Sequence, residues 1–244
     1  MILIRLMLAA LLAGSAFKAA AIPGSQPIGS ATEHGETQAP DPVHAQLMRF
    51  LLESADDPQE LRGVRVAILA SDGVDGFDLE VPRRHLVERG ALVHVIAPRP
   101  VAAGSDRALH AINPSGEETQ AAFDQFVDEA DPRSYHAVYL PGHRIAAPAL
   151  TSAASLAFLQ QAVRSGRPVF AIGNAPLVLL QAGLLERRRA TGDAETFLRL
   201  ALSNATATDA PLVDDGSIYT SRDAFDMPLL MRRMVHELRE RAPR

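Results

Sequence analysis

Past its first forty residues the chain alternates short apolar runs with longer amphipathic stretches. Residues 64–70 (VRVAILA) are almost unbroken apolar and stop at the turn SDGVDGFD. Residues 92–98 (LVHVIAP), 136–142 (HAVYLPG) and 168–173 (PVFAIG) repeat the theme, with weaker versions at 189–191 and 217–221. Runs of this length without polar alternation predict strands covered on both faces. Helical spacing fills the intervals at 79–88 (closed by Gly90), 150–164, 175–182 and 225–241. In the last of these, Leu229, Leu230, Met234, Val235 and Leu238 share one side. Strand and helix in alternation predict right-handed crossovers, hence an α/β three-layer sandwich: a mostly parallel sheet with helices on both faces. One domain over residues 43–242 accounts for the pattern, and no internal repeat interrupts it.

The N-terminus follows other rules. Residues 1–21 (MILIRLMLAALLAGSAFKAAA) run from an early Arg5 through an apolar core to small residues, the order of an export signal. The apolar part falls short of the ~20 residues a permanent membrane span needs. Residues 22–42 are rich in Pro, Gly, Ser, Thr and acids and predict a flexible linker. Residues 43–55 (VHAQLMRFLLESA) then predict an amphipathic helix, packed on the domain or on a second copy in a homodimer. An exported, periplasmic or secreted product is expected. Cleavage after Ala21 would remove Arg5 and Lys18, leaving 22 basic residues against 29 acidic ones, a net of −7 instead of −5.

Composition narrows the chemistry. The chain has no Cys and no Trp, and Lys18 is its only lysine. Disulfides, thiolate metal sites and cysteine nucleophiles are therefore excluded, and loss of Lys18 would remove Schiff-base lysine chemistry as well. The acidic balance argues against nucleic-acid binding, which needs a basic face. No dinucleotide, P-loop, H-E-x-x-H or G-x-S-x-G motif is present, so no cofactor is expected. The spacing of Gly73 and Gly76 is wrong for a dinucleotide loop. No histidine pair has metal spacing. His34 falls in the linker, His44 and His236 on exposed helix positions, and His94 in a buried strand as a hydrogen-bonded core residue. Arg187, Arg188 and Arg189 read as a solvated turn, with an anion site as the alternative; Asn204-Ala205-Thr206 matches a glycosylation acceptor.

In sheets of this kind ligands bind beyond the carboxyl ends of the strands, which singles out the loops at 71–78, 142–146 and 173–176. The segments VRVAILASDGVDGFDLEVP, HAVYLPGH, RPVFAIGNAPLVLLQAGLLERRRATG and VDDGSIYTSRDAFDMP, in that order, resemble the ThiJ/PfpI family of the class I glutamine amidotransferase-like superfamily. Residues 168–192 carry the most specific part. The first half is also similar to the C-terminal domain of large-subunit catalases, without a haem-binding core. The resemblance implies a flavodoxin-like sandwich. It also implies a Cys thiolate on the sharp turn after the fourth strand, followed by His, bonded by a Glu from the first loop and served by oxyanion donors in a P-G-G turn.

Here the Cys position holds Gly173, the His position Asn174, the Glu position Asp78, and the second Gly of P-G-G is His143; Gly142 and Thr220-Ser221-Arg222 are kept. The family's peptidase, deglycase and glyoxalase activities all start at that thiolate, so they do not carry over. What remains is a vestigial pocket of Asp78, Gly142, His143, Gly173 and Asn174. Free N–H groups at the helix start would favour a small anion there, or a partner segment. Either Asp78 and His143 pair across the pocket, with His143 a general base, or the residues are structural. In the structural case Asp78 caps a helix starting at Leu79, Asn174 caps the next, and His143 faces solvent. The leading expectation is a non-catalytic binding protein. The alternatives are a hydrolase or lyase with a relocated Asp78/His143 pair and a catalase-associated structural module.

Overall fold

The computed structural model describes residues 42–100, 107–144 and 148–242. The expected signal and nearly all of the expected linker lie outside these residues, as do residues 145 and 146 of the second loop. The elements are α1 (Pro42–Leu52), β1 (Arg65–Leu69), β2 (Val74–Asp75), α2 (Gly76–Val87), β3 (Leu92–Ala97), β4 (Ala108–Ile112), β5 (Glu118–Ala122) and β6 (Gln125–Phe126). They continue with β7 (Ala137–Leu140), α3 (Ala153–Arg164), β8 (Val169–Ile172), α4 (Pro176–Gln181), β9 (Arg189–Ala190) and α5 (Ala194–Ala201). The last are β10 (Thr206–Ala207), β11 (Leu212–Asp215), β12 (Ile218–Ser221) and α6 (Met227–Arg241). The helical segment expected at 43–55 thus starts on Pro42, the last residue of the expected linker, and stops at Leu52.

Seven strands form the main sheet in the order β11-β12-β8-β7-β1-β3-β6, parallel throughout except for the β11–β12 hairpin. This is the flavodoxin-like sandwich. Side-chain alternation explains why β1, β7 and β8 read as solid apolar runs. Val66 and Ile68 belong to one core with Leu47 and Phe50 of α1, Leu79 and Leu86 of α2, and Leu230 and Met234 of α6. Ala67 and Leu69 belong to the other, with Phe158 and Leu159 of α3, Leu179 of α4 and Leu200 of α5. Both faces are dry, so neither can be polar.

Helix α1 packs on its own chain. Leu47, Phe50 and Leu51 are buried, the Phe50 ring lies 4.7 Å from that of His85, and Arg84 of α2 donates to the Leu51 carbonyl at 3.2 Å. Two smaller sheets complete the fold: β2-β4-β5 beside the loop after β1, and β9-β10. The sequence pattern showed no strands between residues 99 and 135, yet β4, β5 and β6 lie there.

The chain leaves β1 for β3 on one side and returns to β7 on the other. The strand order therefore reverses between β1 and β7, and the crevice at their carboxyl ends is where an open α/β sheet binds ligands.

Candidate functional site

Four turns converge on that crevice: those after β1, β7, β8 and β12. They enclose a cavity of about 290 Å³ that contains all five expected pocket residues, Asp78, Gly142, His143, Gly173 and Asn174. The structure brings them together, but in roles that differ from those expected.

The start of α2 is set by Asp75, not Asp78. Strand β2 pairs with β4 and bridges to His143, and the Asp75 N–H donates to the Gly142 carbonyl at 2.9 Å. These contacts hold Asp75 extended (φ −67°, ψ 115°) with its carboxylate accepting from the Phe77 and Asp78 amides. Its other oxygen takes the Arg144 guanidinium. Asp78 therefore sits inside the first turn, only 7% exposed, with Oδ2 accepting from the Gly142 amide at 3.3 Å. Burial, reinforced by the Asp75 charge, pushes its pKa from 3.8 up to about 8, so Asp78 is a neutral acid at pH 7.

A proline explains how the helix holds that residue. Pro82 lies inside α2 and has no N–H to give to the carbonyl four residues earlier, which is that of Asp78. The Tyr139 hydroxyl of β7 donates to it instead, at 3.0 Å.

His143 neither faces solvent nor pairs with Asp78. Its ring is buried, with Nε2 3.4 Å from the Ser71 amide nitrogen and 3.3 Å from the Ser71 hydroxyl. Burial lowers its pKa from 6.5 to about 4, opposed by backbone hydrogen bonds to Pro141 and Ser71. It stays uncharged at neutral pH, its ring engaged by backbone groups. The Asp78/His143 couple of the alternative reading is not formed. Asn174 is not a helix cap either: its Oδ1 accepts from the His143 amide at 2.9 Å and its Nδ2 donates to the His143 carbonyl at 2.8 Å. The cap position of α4 falls on Ala175, which makes no side-chain cap.

Gly173 occupies the elbow between β8 and α4 with φ +66°, in the left-handed region that favours glycine. A Cβ built there would lie 3.7 Å from the Gly142 Cα and 4.0 Å from Asp78 Oδ2, ordinary contact distances. The elbow is intact; only the side chain is missing.

The expected anion-binding helix start is not there. Helix α4 has six residues. The Ala175, Leu177 and Val178 amides already donate to Ile172, Asn174 and Ala175, and Pro176 has no N–H. The two amides standing where the family resemblance implies oxyanion donors, Gly142 and His143, are filled by Asp78 and Asn174. The retained Thr220-Ser221-Arg222 is structural: Thr220 accepts from the Thr191 amide, Ser221 donates to Pro211, and Arg222 pairs with Asp226 and Asp209. Two of the three arginines at 187–189 are matched by an acid. Arg188 and Arg189 lie 3.7 and 3.8 Å from the Asp215 carboxylate. As expected, His94 is a hydrogen-bonded strand residue, 3.2 Å from the Tyr135 hydroxyl. Among the described residues no cluster of three or more His, Asp or Glu is placed to hold a metal ion, and no helix is long and apolar enough to cross a membrane.

Sandwich topology, a left-handed elbow after β8 and an acid reaching it from the first turn of α2 place the chain in the class of flavodoxin-like domains. Residues 64–237 match the DJ-1/PfpI family, and the chain belongs to it. A deglycase of Thermococcus kodakarensis is 29% identical over 178 residues, covering 72% of this chain and all of that one. The protein/nucleic acid deglycase 2 of Escherichia coli is 24% identical, covering 71% and 97%. Among solved structures, a two-domain protein with DJ-1/ThiJ/PfpI-like and ferritin-like domains from Anabaena variabilis superposes with TM-score 0.63 at 26% identity. That match covers 72% of this chain and 48% of the other, about half its length. Drosophila melanogaster DJ-1beta has the same fold, with TM-score 0.61 at 19% identity, covering 72% and 90%.

Proposed function

We propose that this chain is a non-catalytic, exported member of its family that holds a small ligand reversibly in the elbow pocket. One observation carries the reading: the turn that would present a nucleophile holds Gly173 in an intact left-handed elbow, and the chain has no cysteine at all. The occupied Gly142 and His143 amides support it, because an oxyanion would have to displace Asp78 and Asn174 to reach them. The relatives named deglycases suggest that activity, but the family's route to it needs a thiolate that this chain cannot supply. Residues 1–21 support export, and a homodimer is part of the same proposal; periplasmic fractionation and sedimentation test these two.

The test is turnover by purified protein of methylglyoxal, p-nitrophenyl acetate and short peptides. The expected rate equals that of Asp78→Asn for every substrate. Turnover that Asp78→Asn abolishes would overturn the binding role in favour of the second reading, an acid–base enzyme working through Asp78 alone. That reading is favoured by the carboxyl's placement near neutrality, at about 8, where a general acid or base is most effective, and it requires a rate limb close to that pH. A structural module comparable to the catalase-attached domains would instead co-purify with a larger protein.

A further inference from the structure

We propose that the ligand of this pocket is a small organic cation, a primary ammonium or a guanidinium group, and that it settles on Asp78. The proposal rests on the reading of the pocket as a reversible binding site.

Charge balance comes first. Among the described residues, the carboxylates of Asp75, Asp193 and Asp223, beside the neutral Asp78, line the cavity together with Arg144 and Arg222. Both guanidinium groups are already matched: Arg144 by Asp75, and Arg222 by Asp226 at 2.7 Å and Asp209 at 3.0 Å. Asp193 and Asp223 have no ion pair among the described residues. Each accepts one backbone amide nearby, from Thr196 and Phe225 respectively. Helix starts at α2 and α5 soften the field of Asp75 and Asp193, whereas Asp223 stands in the turn ahead of α6 with the Phe225 amide. An anion entering here meets net negative charge; a cation meets the opposite.

Asp78 supplies an independent reason. Its carboxyl is more than nine-tenths buried, and Oδ2 reaches within 4.0 Å of the place a Gly173 side chain would fill. Its single hydrogen bond among the described residues is the long one from Gly142. The other oxygen has no hydrogen-bond partner among the described residues, and once the acid ionises it is free to accept from a bound cation. Phe225 also lines the cavity and gives the alkyl part of such a ligand an apolar wall.

Binding must move a proton. In the empty pocket the Asp78 carboxyl is neutral at pH 7, surrounded by Asp75 from its own helix start, Arg144 from the turn after β7 and Asp223 from the turn after β12. The Tyr139 hydroxyl is committed to the Asp78 carbonyl. An arriving ammonium turns the acid into its carboxylate partner, and the proton leaves to solvent. Each cation bound releases up to one proton.

Isothermal titration calorimetry at pH 7 in phosphate and in Tris tests this with n-butylammonium, butylguanidinium, n-butyrate and n-butanol. The two cations are expected to bind, with an apparent enthalpy that depends on the buffer in proportion to the proton released. Asp78→Asn is expected to weaken them about tenfold or more and to remove the buffer dependence. Asp223→Asn, which leaves the carboxyl in place, is expected to weaken them by a smaller factor. Butyrate binding better than the cations, or cation binding with no proton release and no loss in Asp78→Asn, would overturn the cation assignment while leaving the pocket a binding site. Failure of all four to bind would overturn both.

Discussion

The buried acid makes a quantitative prediction about stability. In the unfolded chain Asp78 titrates at 3.8; in the fold its pKa is about 8. A carboxyl whose pKa is raised by folding is held neutral in the native state, so the unfolded state binds fewer protons between these values, and stability falls as pH rises from about 4 to 8. At pH 7 the displacement in play is about 3 pH units, or about 4 kcal/mol of destabilisation at 1.36 kcal/mol per unit. Asp78→Asn removes the ionisable group and keeps an acceptor for the Gly142 amide. It adds an amide donor that needs water or a partner, at a cost of about 1 kcal/mol. The expected net gain is about 3 kcal/mol at pH 7, a rise in Tm of roughly 6–12 °C for a domain of this size. At pH 4 the titration contribution falls below about 1 kcal/mol and no longer offsets the added amide, so the gain disappears. Acid stability has a separate origin. His143 and His85, with pKa values lowered from 6.5 to about 4 and about 3 mainly by burial, must stay neutral. Their stabilisation is complete above pH 6.5 and is lost as pH falls towards those values. Wild-type protein should therefore be most stable close to pH 6.5, and Asp78→Asn should hold that maximum on the alkaline side. Thermal melts of both proteins from pH 4 to 9 measure this. An equal Tm difference at pH 4 and pH 8, or a loss of stability in Asp78→Asn at pH 7, would refute the buried neutral acid.

Three further substitutions probe the elbow. Gly173→Cys should fold at a cost of about 1–2 kcal/mol for its positive φ, since the added Cβ meets nothing closer than 3.7 Å; iodoacetamide should then label a single site on a chain otherwise without thiols, read by intact mass. Gly142→Ala should lose about 1–3 kcal/mol, because its Cβ would fall 2.6 Å from the carboxyl oxygen of a buried Asp78; urea unfolding reads the loss. Asn174→Ala removes both hydrogen bonds holding the His143 backbone and should cost about 1–3 kcal/mol, with faster amide exchange at His143 by NMR.

Much of the fold was legible because its central strands are buried twice over: β1, β3, β7 and β8 announce themselves by lacking polar alternation. The strands that escaped notice are the ones without that property. β4, β5 and β11 are half-exposed, with Thr119 and Gln120 beside Ala121, and β2, β6 and β10 are two residues each. Helix α5 was readable in principle, since Asp193 stands immediately before AETFLRLA and caps it. All five expected pocket positions line one cavity, because the turns after parallel strands converge at one edge of the sheet. Their roles were not legible, for a local reason. The stretch DGFD offers two aspartates three residues apart, and the choice of cap is made by distant contacts, the β2–β4 pairing and the bridge to His143. Likewise nothing near Asn174 in sequence shows that its amide will face a loop thirty-one residues away.

The hydroxyl of Tyr139 closes the gap that Pro82 leaves in the ladder of α2. Helix and sheet are thus riveted at one carbonyl, and that carbonyl belongs to the same residue whose side chain reaches the elbow. The depth of the acid is gauged by the length of a phenol ring standing on the central strand. In a domain built this way the position of that neutral carboxyl is fixed by the middle of the sheet.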